Sequence, residues 1–241
     1  MKKVFSLLAV AAMILTVSCK KGGTDPTPKP EPEPQPAGLG IVIDGNFEDW
    51  ATLKVGNYTA AKNNPNSPWD AVSEIRCCAD ADFVYYYIKY NKSVLDDLLA
   101  EDEDLPIRLC INTDGEFASG YEKYFLESYD FIIEGPLGDG EGAFGDYDGT
   151  LHQRVNGDWS KLLEPGSNLV FGKGSGTEYE IMLAREIFNN AVPADQKMGD
   201  VFYTGIRFYG PGWDELSNMP NSSIDDEESG WGHMMQIQTV K

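Results

Sequence analysis

The stretch Ala71-Val72-Ser73-Glu74-Ile75-Arg76-Cys77-Cys78-Ala79, then Asp80-Ala81, then Asp82-Phe83-Val84-Tyr85-Tyr86-Tyr87-Ile88-Lys89-Tyr90 decides the fold class. Two β-rich runs separated by two turn-forming residues read as a hairpin. In the second run Phe83, Tyr85 and Tyr87 share one face, while Val84, Tyr86, Ile88 and Tyr90 share the other. Both faces are aromatic or apolar, so this strand reads as central and covered on both sides.

Further strand signals extend in both directions. Gly40–Ile43 is a short apolar run ended by the turn signal Asp44-Gly45. Ile107-Arg108-Leu109-Cys110-Ile111 alternates, with Leu109 and Ile111 inward, and ends in Asn112-Thr113-Asp114-Gly115. Runs at 129–134, 151–155, 169–171, 179–183, 201–209 and 234–240 follow. Helix signals are few. Ser93 is placed to cap Val94–Ala100, with Asp96 and Asp97 in the first turn, and 184–190 reads as one or two more turns. The glycine-rich stretches 135–149 and 210–233 read as long surface loops. The pattern predicts an all-β fold, an antiparallel β-sandwich of about ten strands with one or two short helices. There is no internal repeat.

Composition narrows the function classes. The 241 residues carry 19 basic and 39 acidic groups, a formal charge of −20. Residues 1–37 hold five basic and three acidic groups, so residues 38–241 carry 14 against 36, or −22. Such a surface repels nucleic acid and anionic membranes. With 41% hydrophobic residues the chain has material for a core.

The N-terminus reads as an address and a tether. Lys2 and Lys3 precede the apolar run 4–17, too short to span a bilayer, and Ser18-Cys19 follow. Leu15-Thr16-Val17-Ser18-Cys19 resembles a bacterial lipobox, which implies lipidation of Cys19 and anchoring to the outer membrane, on its periplasmic or cell-surface side. An ordinary cleaved signal peptide is the alternative. Residues 20–37, with proline at alternate positions, read as a semi-rigid polyproline II spacer reaching roughly 40–50 Å. The folded domain is then 38–241.

Several chemistries lack their residues. There are two histidines, His152 and His233, and no H-E-x-x-H, which disfavours an imidazole-rich zinc site. No G-x-S-x-G elbow is present. Gly166 to Lys173 fails the phosphate-loop spacing, and Gly174 stands where a hydroxyl is needed. Thirty-six acids offer many carboxylate pairs for glycoside hydrolysis, so no pair stands out. Cys77, Cys78 and Cys110 read as small buried hydrophobes. Export would also permit a disulfide from Cys77 or Cys78 to Cys110, and only one of the two faces a given partner.

Two features suggest binding. Asn112 and Asp114 set oxygen-bearing side chains two residues apart on a tight turn, suited to a calcium ion or merely to the turn; Phe117 and Lys123 rule out an EF-hand. Trp69, Trp159 and Trp213 read as loop tryptophans available to stack on sugar faces, whereas Trp50 reads as core.

A family resemblance draws on these residues. Ile41-Val42-Ile43-Asp44-Gly45-Asn46-Phe47-Glu48-Asp49-Trp50 resembles the "IDG…DW" opening of family 9 carbohydrate-binding modules and their DOMON-like relatives. In the same order, Ile75–Tyr85 resembles that family's hairpin, Ile107–Tyr121 its "iDtDg…tGY" segment, Tyr129–Gly135 its "yDy-ieg" strand, and Tyr179–Leu183 with Arg185 its "yEi" strand. The resemblance implies a β-sandwich, sugar binding and often structural calcium. On the metal region it maps Asn112, Asp114 and Asp130. It departs at the sugar site. The tryptophan expected before the "iDtDg" strand is replaced by acidic 100–105, and Trp231 aligns with a closing turn. The expected function is a monomeric, non-catalytic module that binds a polysaccharide or oligosaccharide, with calcium as a candidate cofactor. The alternatives are a glycoside hydrolase using an Asp/Glu pair, or an envelope interaction domain.

Overall fold

The computed structural model describes residues 38–100, 104–225 and 230–241. The lipobox-like cysteine Cys19 and the proline-rich spacer lie outside the described residues.

The domain is an all-β sandwich of two antiparallel sheets. Twelve strands are present among the described residues: β1 (Thr59–Lys62), β2 (Val72–Ala79), β3 (Phe83–Tyr90), β4 (Pro106–Asn112), β5 (Phe131–Pro136), β6 (Thr150–Val155), β7 (Asp158–Leu163), β8 (Val170–Ser175), β9 (Glu178–Ala184), β10 (Val201–Tyr209), β11 (Glu215–Met219) and β12 (Met235–Gln238). The smaller sheet runs β1-β2-β3-β9-β8. The larger runs β11-β10-β4-β5-β6-β7, with β12 also pairing to β10. Short helices α1 (Glu48–Thr52), α2 (Lys92–Ala100) and α3 (Arg185–Ala191) complete it.

The hairpin β2–β3 forms as expected, with Cys77 opposite Tyr86. β3 lies third of five and is buried on both faces. Val84, Tyr86, Ile88 and Tyr90 enter the core between the sheets, where Leu109, Ile111, Phe131, Ile133, Phe202 and Ile206 come from the larger sheet. The Tyr86 hydroxyl meets Thr204 Oγ1 at 3.1 Å, and Thr204 donates to Cys110 O at 3.0 Å, so Tyr86 is the donor across the sandwich. Phe188 of α3 packs edge-on against Phe131 and closes one end of the core.

The other face of β3 is covered by the N-terminal segment. Ile41, Ile43 and Trp50 pack on Cys78, Tyr85 and Tyr87. Gly40–Ile43 is not a strand, contrary to its apolar pattern, because side chains take its backbone donors. Leu39 N–H donates to Asp80 and Val42 N–H to Asp49. The Asp44 and Gly45 N–H groups both donate to Glu180 Oε1, at 2.9 and 2.8 Å, and the Trp50 indole donates to Glu180 Oε2 at 3.0 Å. The "IDG…DW" residues and the "yEi" glutamate are thus two halves of one clasp. Glu180 is fully buried, and burial, ahead of the opposing N–H donors, raises its pKa from 4.5 to about 7.

Other expectations need correction. β1, β7 and β11 were not expected; each is a short edge strand without an apolar alternation, paired with its neighbour in chain order. Trp159 lies on β7 rather than in a loop, and 210–233 contains β11. α2 begins at Lys92, so Ser93 is inside it and not its cap, and Asp96 pairs with Lys92 instead of lying in the first turn. The three cysteines are free and buried. Cys77 faces the core, Cys78 the N-terminal segment and Cys110 the outer side of the larger sheet, so no disulfide joins them.

Glu180→Gln should lower the unfolding free energy by about 2–4 kcal/mol, because an amide hydrogen then faces converging N–H donors. The folded state holds a proton on Glu180 that the unfolded chain releases between pH 4.5 and about 7. Its contribution is therefore full below pH 4.5 and lost as pH rises through 7. Denaturant titrations across this range should show wild-type stability declining with pH, and a shallower decline in the variant.

Candidate functional site

The outward residues of the larger sheet build the candidate site. On β4, inward Ile107 and Leu109 flank outward Arg108; on β10, inward Ile206 and Phe208 flank outward Arg207. Arg108 and Arg207 are register partners, directly opposite one another. Like charges so placed repel, and the surroundings offset this. Tyr209 lies against both guanidiniums, at 5.1 and 4.7 Å from its ring centre. Trp213 flanks Arg108 at 5.3 Å, and the Tyr124 ring lies directly over Arg207. The order Trp213, Arg108, Tyr209, Arg207, Tyr124 is a ladder of alternating rings and cations. Glu134 pairs with Arg108, and Glu215 pairs with Arg207 at 2.7 Å. Arg207 is only 2% exposed, so its partner and rings offset its desolvation.

Trp213 ends the ladder at the surface and is 47% exposed. It closes the 3-10 turn Pro211–Trp213, where its N–H donates to Gly210 O at 3.1 Å. Gly212 and Trp213 both have left-handed backbone, with φ of 66° and 70°. That conformation suits glycine and costs a tryptophan about 1–3 kcal/mol. Contacts with Tyr209, at 5.3 Å between ring centres, and with Arg108 hold it.

Beside Trp213 lies a groove of about 260 Å³, lined also by Asp104, Pro106, Glu134, Pro136, Asp148, Thr150 and Pro165. Asp148 accepts the Gly166 N–H at 2.7 Å, and Glu134 is held by Arg108. The groove therefore offers one flat apolar ring beside fixed carboxylates and a hydroxyl. A larger but more open hollow, about 510 Å³, lies between Gly45–Phe47 and Ser175–Glu178. Its one cation, Lys92, is paired with Asp96.

The other sequence-derived candidates lie elsewhere. Trp69 is half-buried in the β1–β2 connection, its N–H donating to Ser67 Oγ, and Gly230 lies against it. Trp159 lies on the edge strand β7, outside the groove of Trp213, packed on Tyr129 and Tyr121. The loop between β4 and β5 covers the sheet there, and its Phe125 ring fills the space a side chain on Gly205 would need. The ladder itself was not expected. Its signal was a single arginine interrupting the apolar alternation in each of two strands.

The calcium candidates come together only in part. Asn112 is fully buried and acts in its turn, with Oδ1 accepting the Gly115 N–H and Nδ2 donating to the carbonyls of Glu116 and Ser128. Asp114 Oδ1 accepts the Glu116 N–H. Asp130 is buried with Oδ2 unpartnered, and burial first, then the Asp114 charge, raises its pKa from 3.8 to about 6. Calcium takes six to eight oxygens. Two carboxylates and an amide oxygen already engaged fall short, and no cluster of three metal-ligating acids, histidines or cysteines occurs among the described residues.

No protein-family model matches the chain, and no curated protein matches it significantly.

Asp130→Asn should stabilise the domain above pH 6 by about 1–2 kcal/mol, since it removes a buried charge that the folded state holds at a disadvantage. The wild-type penalty appears as pH rises from 3.8 through about 6. Thermal melts at pH 5 and pH 8 check this. A calcium-dependent rise in the wild-type midpoint that the variant lacks would show instead that Asp130 holds a cation.

Proposed function

We propose that this protein is an exported, lipid-anchored and non-catalytic carbohydrate-binding module of the bacterial envelope, acting as a monomer and related to family 9 carbohydrate-binding modules. The observation that carries the reading is Trp213, a half-exposed ring in a costly backbone conformation at the mouth of a polar groove. Backbone strain of this kind persists where the surroundings impose it and concentrates at binding sites. A pyranose stacks its C–H face on such a ring, and Glu134, Asp148 and Thr150 are placed to meet its hydroxyls. Arg108 holds Glu134 and the Gly166 N–H holds Asp148 in place, so the two acids form fixed polar walls suited to binding. On this reading Trp213 carries the contact, and Trp69 and Trp159 support the fold. The lipobox-like Cys19 and the spacer 20–37 would hold the domain off the lipid surface.

Isothermal titration of the full chain against a panel of neutral oligosaccharides tests the reading. At least one should bind, and Trp213→Gly should abolish binding while the melting temperature stays level or rises, because glycine relieves the left-handed backbone. Heatless titrations across the panel would remove the reading. New reducing ends on prolonged incubation would turn it toward a hydrolase.

A further inference from the structure

Arg154 is the exception among the five arginines. Arg76, Arg108 and Arg207 each pair with a glutamate, and Arg185 donates to the carbonyls of Asp80 and Gly199 and to Thr239. Among the described residues nothing accepts a hydrogen bond from the Arg154 guanidinium. Scarcity of partners is not the reason, since acids outnumber bases 36 to 14 from residue 38 onward. Two rings hold the group: its central carbon lies 5.0 Å from the Tyr121 ring centre and 5.4 Å from that of Trp159. Trp159 is itself fixed by stacking on Tyr129, with 26° between the planes. Arg154 is half-buried on the outward side of β6, beside the edge strand β7. The rings restrain the cation yet use none of its five N–H donors.

A planar fork held in place with its donors unfilled is a receptor for an oxyanion. We propose that Arg154, walled by Tyr121 and Trp159, binds one oxyanion group on a sugar, a uronate carboxylate or a sulfate ester. The domain charge of −22 repels polyanions, so the fitting ligand carries a single charge on an otherwise neutral frame. None of Arg154, Tyr121 and Trp159 lines the groove beside Trp213, so the subsite is separate from it, while the sugar frame of its ligand rests on the proposed function.

The test is a nitrogen-15 NMR titration of the full chain with methyl glucuronoside, a methyl glucoside sulfate and uncharged methyl glucoside. The Arg154 Nε–H and Trp159 indole signals should shift saturably with at least one charged sugar and not with the neutral one; which sugar acts identifies the source of the oxyanion. Arg154→Gln should weaken the response at least tenfold, Arg154→Lys should weaken it several-fold by losing the fork, and Trp213→Gly should leave it intact. If Arg154→Gln proves unstable, the lysine variant decides. No saturable shift with either charged sugar, or equal binding by the lysine variant, overturns the proposal.

Discussion

A strand that is apolar on both faces must be covered on both faces, and β3 imposes that requirement on the whole domain. One face is met by the second sheet, with Tyr86 and Thr204 bonded across the interior. The other is met by a segment with no regular pairing of its own. Its amides would be left bare in an apolar setting, and each unmade bond there costs about 1–3 kcal/mol. Asp49, Asp80 and Glu180 supply the missing acceptors. The clasp at Glu180 is therefore the counterpart of the aromatic strand: one creates the surface, the other fastens its cover.

The larger sheet solves a different problem. Its outward face carries two arginines in direct opposition. Rings between and beside them, with one glutamate each, turn a repulsive pair into an ordered stack that ends at the surface in Trp213. Charge at this spot is locally balanced although the domain is strongly acidic. The groove beside the stack inherits rigid walls, since Glu134 belongs to both the ladder and the groove. Beside the edge strand β7, Arg154 has rings but no acid, and this difference separates a structural cation from one open to a ligand.

Much of the architecture was readable from alternation. The face assignment of β3, the inward Leu109 and Ile111 of β4, and the buried Trp50 and cysteines followed from residue type and period two, whereas a bridge to Cys110 stayed open until the structure set the three cysteines on different faces. The Gly40–Ile43 run was misread because its pattern suited a strand while the Val42 donor is taken by the Asp49 side chain and the Asp44 and Gly45 donors that follow by distant Glu180. β11 and β7 were missed because they are short, largely polar edge strands without an apolar alternation, although each pairs with the strand just before it in the chain.

For the site, the sequence supplied the candidates but not the choice among them. Trp69, Trp159 and Trp213 sit in similar glycine-, proline- or turn-rich contexts, and nothing local separates them. Register decided, by bringing Arg108 and Arg207 together and aligning Tyr209 and Trp213 on them. By itself the sequence determined the β class, the acidic surface and the central strand, because these depend on composition and on a period of two. Only the tertiary structure decided which tryptophan stays exposed, which aspartate loses its partner and which arginine keeps its donors unfilled, because those outcomes depend on contacts between residues far apart in the chain.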